Sequence, residues 1–224
     1  MHISRATDFE NPTTPISSAV IRGNRSKTVQ TRKLKAAQTL FREGDAARHI
    51  YEVTSGVVRV AKVLEDGRRQ VIAFGYPGDI IGFPQDGLYH TECDAISSTE
   101  VVAHNIRDLE SGEHNPELHQ RLVMAALKEI GAMQDHFMML GRKSASEKTA
   151  SFLALLMERT GKPVGTYTHF EFPMTRADIA DFLGLTVETV SRTITKFRNS
   201  KMIVLESSKS VIVLDQDALC NMAA

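Results

Sequence analysis

The sequence predicts an α+β chain in which an antiparallel β domain, a long helix and a winged helix-turn-helix follow one another. Short apolar runs divided by turn signals occupy residues 32–116, which is typical of short strands. An apolar repeat with helical spacing occupies residues 117–141, and helix, turn, helix and hairpin signals fill residues 142–224. Residues 1–31 are polar and show no sustained period, so we expect a flexible N-terminal arm.

The composition is that of a globular protein. Hydrophobic residues make up 42% of the 224 residues and charged residues 24%. No apolar run approaches the roughly 18 residues that a membrane span needs, and the first residues lack the apolar core of a secretory signal. With Cys93 and Cys220 as its two cysteines, the chain cannot build a disulfide framework or a four-thiolate metal site. We therefore expect a cytoplasmic protein without membrane contact.

The net charge neither announces nor excludes a nucleic-acid partner. Lys and Arg number 27 and so do Asp and Glu, which gives a net charge of zero. The local field at a contact face matters more than this sum. Between residues 187 and 201 four cations stand against the single acid Glu188. The sequence therefore places a basic stripe within a neutral chain.

The predicted β domain contains a clear hairpin signal at Glu65-Asp66-Gly67. Apolar residues stand on both sides of it: Val57, Val58 and Val60 precede it, and Val71, Ile72 and Phe74 follow it. Strands of this length that recur every 8–12 residues or so indicate an antiparallel sandwich or barrel.

The segment after the β domain carries apolar residues at spacings of 4, 3, 4 and 3, as in a coiled coil. Such a helix either packs on its own domain or forms a dimer axis. We favour the dimer, because a helix this long carries more apolar surface than a small neighbouring domain could cover. The predicted dimer residues are Ala126, Ile130, Met133, Phe137 and Leu140.

The C-terminal segment shows the punctuation of a winged helix-turn-helix. Ser146 is a candidate N-cap for a first helix, which Gly161 and Pro163 end. Two further helices follow, over 175–183 and about 187–200, and the break between them falls at Gly184. Two β-rich runs around residues 207–210 then predict a hairpin.

Three polar residues share one face at the start of the helix predicted over about 187–200, which is the second helix of the helix-turn-helix. In a helix-turn-helix this helix enters the major groove, and Glu188, Ser191 and Arg192 stand three and four residues apart. Arginine can donate two hydrogen bonds to guanine, glutamate can accept one from cytosine, and serine can approach a thymine methyl. The competing interpretation is structural, since Glu188 in the first turn also favours the helix dipole.

The remaining polar residues of the motif are predicted to cap helices or contact the DNA backbone. Thr175 and Thr186 are N-cap candidates for the two helices. The set predicted to face phosphates, or in the case of the cations simply to be solvated, is Thr175, Thr186, Thr189, Lys196 and Arg198.

These motifs resemble those of a known family. The stretch TRADIADFLGLTVETVSRTITKF resembles the DNA-binding motif of the CRP/FNR superfamily of bacterial transcription regulators, and the E-x-x-S-R pattern is that of its FNR/FixK branch. FREGDAARHIYEVTSGVVRV and GDIIGF are similar to the family's cyclic-nucleotide-binding-like β-roll, and the apolar-repeat helix to its dimerisation helix. The resemblance covers nearly the whole chain.

The resemblance implies a β-roll and a homodimer that reads a TTGAT…ATCAA-like palindrome in double-stranded DNA. It implies that Arg192 takes the guanine, Glu188 the cytosine paired with it, and Ser191 the neighbouring thymine. Such proteins usually activate transcription by contacting RNA polymerase, and the FixK-like branch points to low-oxygen or nitrogen-fixation-type gene control.

The residues indicate no bound cofactor or effector. Thr91-Glu92 stands where cyclic-nucleotide binders of the family place Arg-Ser, and a carboxylate there would repel a phosphate. The N-terminal arm has no cysteine for the iron–sulfur cluster of FNR proteins. Several kinds of control stay open: the abundance of the protein, its partners, another ligand, haem held by His49, His90 or His104, and thiol oxidation at Cys93 or Cys220.

Two other classes are disfavoured by the sequence. A cupin-type β-roll enzyme needs a metal set such as H-x-H, and no H-x-H occurs in the chain. An interaction module that has lost DNA binding would not need Glu188, Ser191 and Arg192 intact. We therefore predict a regulator and not an enzyme.

Overall fold

The N-terminal half of the chain is a β-roll of two four-stranded antiparallel sheets. The computed structural model describes residues 30–113 and 115–224, so the predicted arm lies outside the described residues apart from Gln30 and Thr31, which belong to the first strand. The strands are β1 (Gln30–Leu34), β2 (Thr39–Phe41), β3 (His49–Ser55), β4 (Val58–Val63), β5 (Arg69–Gly75), β6 (Ile80–Ile81), β7 (Glu92–Ala95) and β8 (Thr99–Asn105). The sheet orders are β1-β8-β3-β6 and β2-β7-β4-β5.

The interior of the roll is filled by side chains from both sheets. Because successive side chains of a strand point to opposite faces, Val58 and Val60 of β4 enter this interior. Ala61 of β4 and Val71 of β5, which are paired partners, face the other way and belong to a second core. The β4–β5 hairpin, predicted from Glu65-Asp66-Gly67, therefore contributes to two cores at once.

A short helix, α1 (Arg107–Glu110), leads to the long helix α2 (Pro116–Arg142), which has 27 residues. The side chain of Asn115 accepts a hydrogen bond from the Leu118 amide at 3.0 Å, and proline at the first helical position needs no amide partner. At 1.5 Å per residue, α2 is about 40 Å long. No helix of the described ranges is both long and apolar enough to cross a membrane.

The C-terminal domain has the predicted winged helix-turn-helix order. Its elements are α3 (Ala145–Thr160), β9 (Lys162–Val164), β10 (Tyr167–Glu171), α4 (Arg176–Leu183), α5 (Val187–Asn199), β11 (Ile203–Leu205), β12 (Ser210–Val213) and α6 (Gln216–Ala223). The four strands form one sheet in the order β11-β12-β10-β9. The helix α6, which packs on α3, was not predicted from the sequence.

The N-cap of α3 was predicted wrongly. The cap is Ser144 and not Ser146, because Ser144 accepts a hydrogen bond from the Glu147 amide while the Glu147 carboxylate accepts one from the Ser144 amide. This reciprocal pair requires a Glu or Gln three residues after the cap. The residue three positions after Ser146 is Thr149, which has no carboxylate or amide group to accept a hydrogen bond from the N-cap amide.

The second core joins the β-roll to the C-terminal domain. It contains Phe152 and Leu156 of α3, Ile179 of α4 and Ile194 of α5, together with Ala61, Val71 and Tyr76 from the outer face of the roll. The two domains therefore share buried apolar surface and do not merely touch.

Helix α2 lies loosely over this junction. Between it, the turn before β6 and α3 is a cavity of about 1150 Å³, next to which Ala125 and Ala132 present small side chains. Glu129 faces the same space, and its Oε2 is buried without a hydrogen-bond partner among the described residues. Burial and the nearby charge of Asp79 raise the pKa of Glu129 to about 7.

This buried carboxyl predicts a pH-dependent stability. Because the folded state raises the pKa from 4.5 to about 7, it binds the proton more tightly than the unfolded state, and stability falls as the pH rises between these values. Glu129→Gln should therefore raise the free energy of unfolding by on the order of 2–3 kcal/mol above pH 7 and change it little near pH 4.5. Denaturant unfolding at both pH values measures this difference. Glu117→Gln, at an exposed carboxyl of the same helix, should show no such gain at high pH.

Candidate nucleic-acid interface

The two helices of the helix-turn-helix, α4 and α5, are each capped by a threonine, as predicted. The hydroxyl of Thr175 accepts a hydrogen bond from the Asp178 amide at 3.1 Å and donates one to the Asp178 carboxylate at 2.7 Å. The hydroxyl of Thr186 accepts a hydrogen bond from the Thr189 amide at 3.2 Å. Between the helices, Gly184 adopts the left-handed conformation with φ +60, which a glycine reaches without strain.

Helix α5 has one buried face and one exposed face. Its buried residues are Val190, Thr193, Ile194 and Phe197. Glu188, Ser191 and Arg192 are all exposed on the opposite side, where residues three and four apart are neighbours. The structure thus brings the three predicted base-reading residues together at the start of one helix. Thr195, one turn further along this face, is also exposed and was not predicted.

The residues predicted to contact the DNA backbone lie around this face. Lys196 and Arg198 are exposed on its two sides, towards the end of α5. The three threonines mark the helix starts, and Thr186 and Thr189 also bond to each other through their hydroxyls at 3.0 Å. Helix N-termini carry free amides and a partial positive charge, which suit phosphates.

Arg176 is a further cation next to the motif that the sequence reading missed. Its guanidinium lies over the Phe172 ring at 4.2 Å and donates to the Ser208 carbonyl in the β11–β12 hairpin at 3.5 Å. Within the part of the chain that the structure describes, its Nη1 is buried without a hydrogen-bond partner, and burial lowers the pKa of Arg176. Its position directly after the predicted cap Thr175 is the sequence signal that could have identified Arg176 as part of the interface.

Helix α2 exposes an apolar face that overlaps the predicted dimer residues only in part. Ile130, Met133 and Phe137 are 53%, 52% and 75% exposed. Ala126 and Leu140 are only half-buried, and Leu140 packs against the Gly184 turn within the same chain. The apolar residues of the exposed face that the sequence reading missed are Val123, Met124, Leu127 and Met138.

The candidate sensor residues lie in unlike surroundings. Cys93 is fully buried in the roll, and burial raises the pKa of its thiol, which makes it a poor nucleophile. Cys220 is exposed on α6. The His104 ring is bonded to the Glu52 carboxylate at 2.9 Å, whereas His49 and His90 lie on β3 and in the loop before β7. Among the described residues, no group of three or more potential ligands could hold a metal ion.

The position that should bind a cyclic-nucleotide phosphate carries Thr91 and Glu92, both partly exposed. The interior of the roll next to it is occupied by aromatic side chains. Phe41 and Tyr89 stack at 4.1 Å between ring centroids, and Tyr51 follows at 6.0 Å from Phe41. All three are at most 5% exposed.

Two known domain families match the chain. The Crp-like helix-turn-helix domain matches residues 147–222, and the cyclic nucleotide-binding domain matches residues 31–111. A β-roll followed by a long helix and a winged helix-turn-helix with an exposed polar face defines the class of protein, a DNA-binding transcription regulator and not an enzyme.

Individual relatives indicate to which branch of this class of regulators the chain is similar. The nitrogen fixation regulation protein FixK of Azorhizobium caulinodans is 39% identical over 183 residues, which are 80% of this chain and 73% of that protein. The transcriptional activatory protein AadR of Rhodopseudomonas palustris is 39% identical over 188 residues, 84% of this chain and 78% of that one. The solved structure of FixK2 from Bradyrhizobium japonicum matches with a TM-score of 0.78 at 31% identity, covering 88% of this chain and 98% of that chain. The chain belongs to the CRP/FNR family and is a FixK-like transcription activator.

Proposed function

We propose that the chain is a homodimeric activator that reads a TTGAT…ATCAA-like palindrome through two copies of α5. The observation that carries this proposal is the exposed face of α5, on which Glu188, Ser191 and Arg192 stand together with their side chains in solvent. In a helix-turn-helix, residues at this position of the second helix meet base edges in the major groove.

Each of the three side chains suits one base. Arg192 donates two parallel hydrogen bonds to O6 and N7 of guanine, and Glu188 accepts one from N4 of the paired cytosine. Ser191, on the same face, lies against the methyl group of the adjacent thymine. An exposed carboxylate in a groove lined by phosphates is repelled unless a base donates to it, so Glu188 adds selectivity more than affinity.

The second copy is expected to pack along α2. The exposed apolar face of α2 runs from Val123 to Met138, which is about four turns of helix. A continuous apolar face of this length is unusual on the surface of a monomer and typical of a protein interface. A two-fold axis along α2 gives two reading helices about one DNA turn apart, roughly 34–36 Å, as a palindrome requires.

The names of the relatives support a proposal for the regulatory setting. FixK carries nitrogen fixation regulation in its name, and we propose low-oxygen or nitrogen-fixation-type gene control for this chain as well. The dimer would act in the cytoplasm by contacting RNA polymerase beside its site. We propose no effector bound inside the roll, because aromatic side chains already occupy this interior.

Arg192→Ala should weaken binding to the palindrome by about 1–3 kcal/mol per half-site and relax the preference at one base pair. Fluorescence anisotropy with the palindrome, single-base variants of it and random duplex measures both effects. Arg198→Ala removes the same charge from the same helix and should weaken binding to all duplexes alike. Equal losses on specific and random DNA for Arg192→Ala would mean that Arg192 contacts only phosphate.

Ile130→Glu should shift the protein from dimer to monomer, because a carboxylate would have to be buried without a partner at the centre of the exposed apolar face of α2. Sedimentation equilibrium measures the shift, and Ile130→Leu, which keeps the side chain apolar, should remain dimeric. A dimer that persists in Ile130→Glu contradicts the proposed axis.

A further inference from the structure

The first helix of the reading motif is tied to the β-roll by a group of ion pairs and hydrogen bonds, here called the clasp. The clasp consists of Arg59, Arg69 and Gln70 on the β4–β5 hairpin and Asp178 and Asp181 on α4. The Arg69 guanidinium donates to both carboxylates, each at 2.7 Å, and Arg59 pairs with Asp178 as well. The Gln70 side-chain amide donates to the Asp181 carbonyl at 2.6 Å.

The charged side chains of the clasp are largely buried, so separating them would be costly. The Asp178 side chain is 5% exposed, and Arg59 is 18% exposed with a further bond to Asp94 at 2.8 Å. Burial alone would raise the pKa of Asp178, but hydrogen bonds from Thr175 and the charge of Arg59 hold that pKa below its usual range. A carboxylate this buried is stable as an anion only while its partners stay in place. The clasp therefore holds α4 in one position on the hairpin.

The end of α4 is tied to α2 by a different kind of contact. The His136 ring shares a hydrogen bond with the Phe182 carbonyl at 2.8 Å and stacks on the Phe182 ring at 4.1 Å between centroids. Leu140 packs beside it against Gly184. Helix α4 is thus held to the roll at Asp178 and Asp181, and its C-terminal end also contacts α2.

In this docked position the reading face is free. Helix α5 packs on α4 through its buried side, and Glu188, Ser191 and Arg192 point away into solvent. The clasp therefore does not mask the DNA-binding face. It fixes the direction in which that face points relative to α2.

We propose that Arg69, supported by Arg59 and Gln70, is a positioning residue for DNA reading that acts from the β-roll through α4. The proposal rests on the proposed function. A palindrome with fixed half-site spacing is bound best by two reading helices that are already held at that spacing, because the entropy of orienting them is lost before binding and not during it. Without the clasp, α4 and α5 can reorient, and affinity for the correctly spaced site falls.

The test compares two adjacent arginines in the full-length protein. Arg69→Ala breaks the clasp. Arg68→Ala removes the same charge from the same hairpin, but the Arg68 side chain is 78% exposed, and among residues 30–113 and 115–224 its ion pair is with Asp66. The dissociation constant is measured for the palindrome and for a duplex whose half-sites are moved apart by about two base pairs. Arg69→Ala should weaken binding to the palindrome about tenfold and reduce the preference for the correct spacing, while Arg68→Ala should match the wild type.

A double-mutant cycle separates positioning from general loss of structure. Asp181→Ala removes one of the two ion pairs that Arg69 makes, so it should weaken binding by no more than Arg69→Ala does. The double variant should lose no more than Arg69→Ala alone, because Arg69→Ala already removes the contact that Asp181→Ala removes. Arg69→Lys, which keeps the charge but cannot bond both carboxylates in the same way, should fall between wild type and Arg69→Ala. A thermal unfolding transition for each variant identifies those that are folded at the temperature of the binding assay.

The outcomes are distinct. Equal affinities for Arg68→Ala and Arg69→Ala overturn the inference, and so does tighter binding by Arg69→Ala, which would make the clasp an inhibitory contact. Additive losses in the cycle also contradict it. A wild-type protein that binds neither duplex overturns the proposed function, and the inference with it.

Discussion

The carboxylate of Asp178 is the constraint on which the arrangement of the two domains depends. It closes the capping box of α4 with Thr175, and the same group accepts from Arg59 and Arg69 of the β-roll. The local stability of α4 and its position on the roll are therefore set by one buried anion, the Asp178 carboxylate. Neither can change alone, because a rotation of α4 that separates Asp178 from the arginines leaves a charge buried without its partners.

Apolar packing surrounds this anion and gives it its low exposure. Ala61 and Val71 on the outer face of the hairpin join Ile179 and Ile194 in one core. Apolar contacts are not directional, so the core supplies affinity between the domains while the ion pairs fix the orientation. The β4–β5 hairpin provides both the apolar contacts and the ion pairs, since the side chains along its strands alternate between the interior of the roll and this interface.

The parts that the sequence predicted are those whose causes are local. Gly184, the threonine caps and the Glu65-Asp66-Gly67 hairpin each depend on a few neighbouring residues, and the structure confirms them. The Ser144 cap could have been found in the same way, because Glu147 stands three residues later.

The parts that were missed depend on partners far along the chain. In α2, residues 123, 127, 130, 134 and 137 repeat with the same 4 and 3 spacing as the predicted set, so periodicity alone could not decide which stripe faces the chain's own domain. Leu140 is drawn to Gly184 by the docking of the C-terminal domain. The pair Arg59–Asp178 is 119 residues apart, and no local signal marks either residue as a partner of the other. For the three residues proposed to read bases, the sequence and the structure agree on a shared exposed face, which is a property of helix periodicity and packing.

The filled roll and the clasp together suggest what the N-terminal domain contributes. Phe41, Tyr51 and Tyr89 occupy its interior at no more than 5% exposure, so a ligand that enters between these rings must displace well-packed side chains. Cys93 is buried beside them with a raised pKa, which lowers its reactivity towards oxidants. The outer hairpin of this domain contacts α4 through Arg69 and Gln70, and these contacts support the proposal that the N-terminal domain positions the helix-turn-helix.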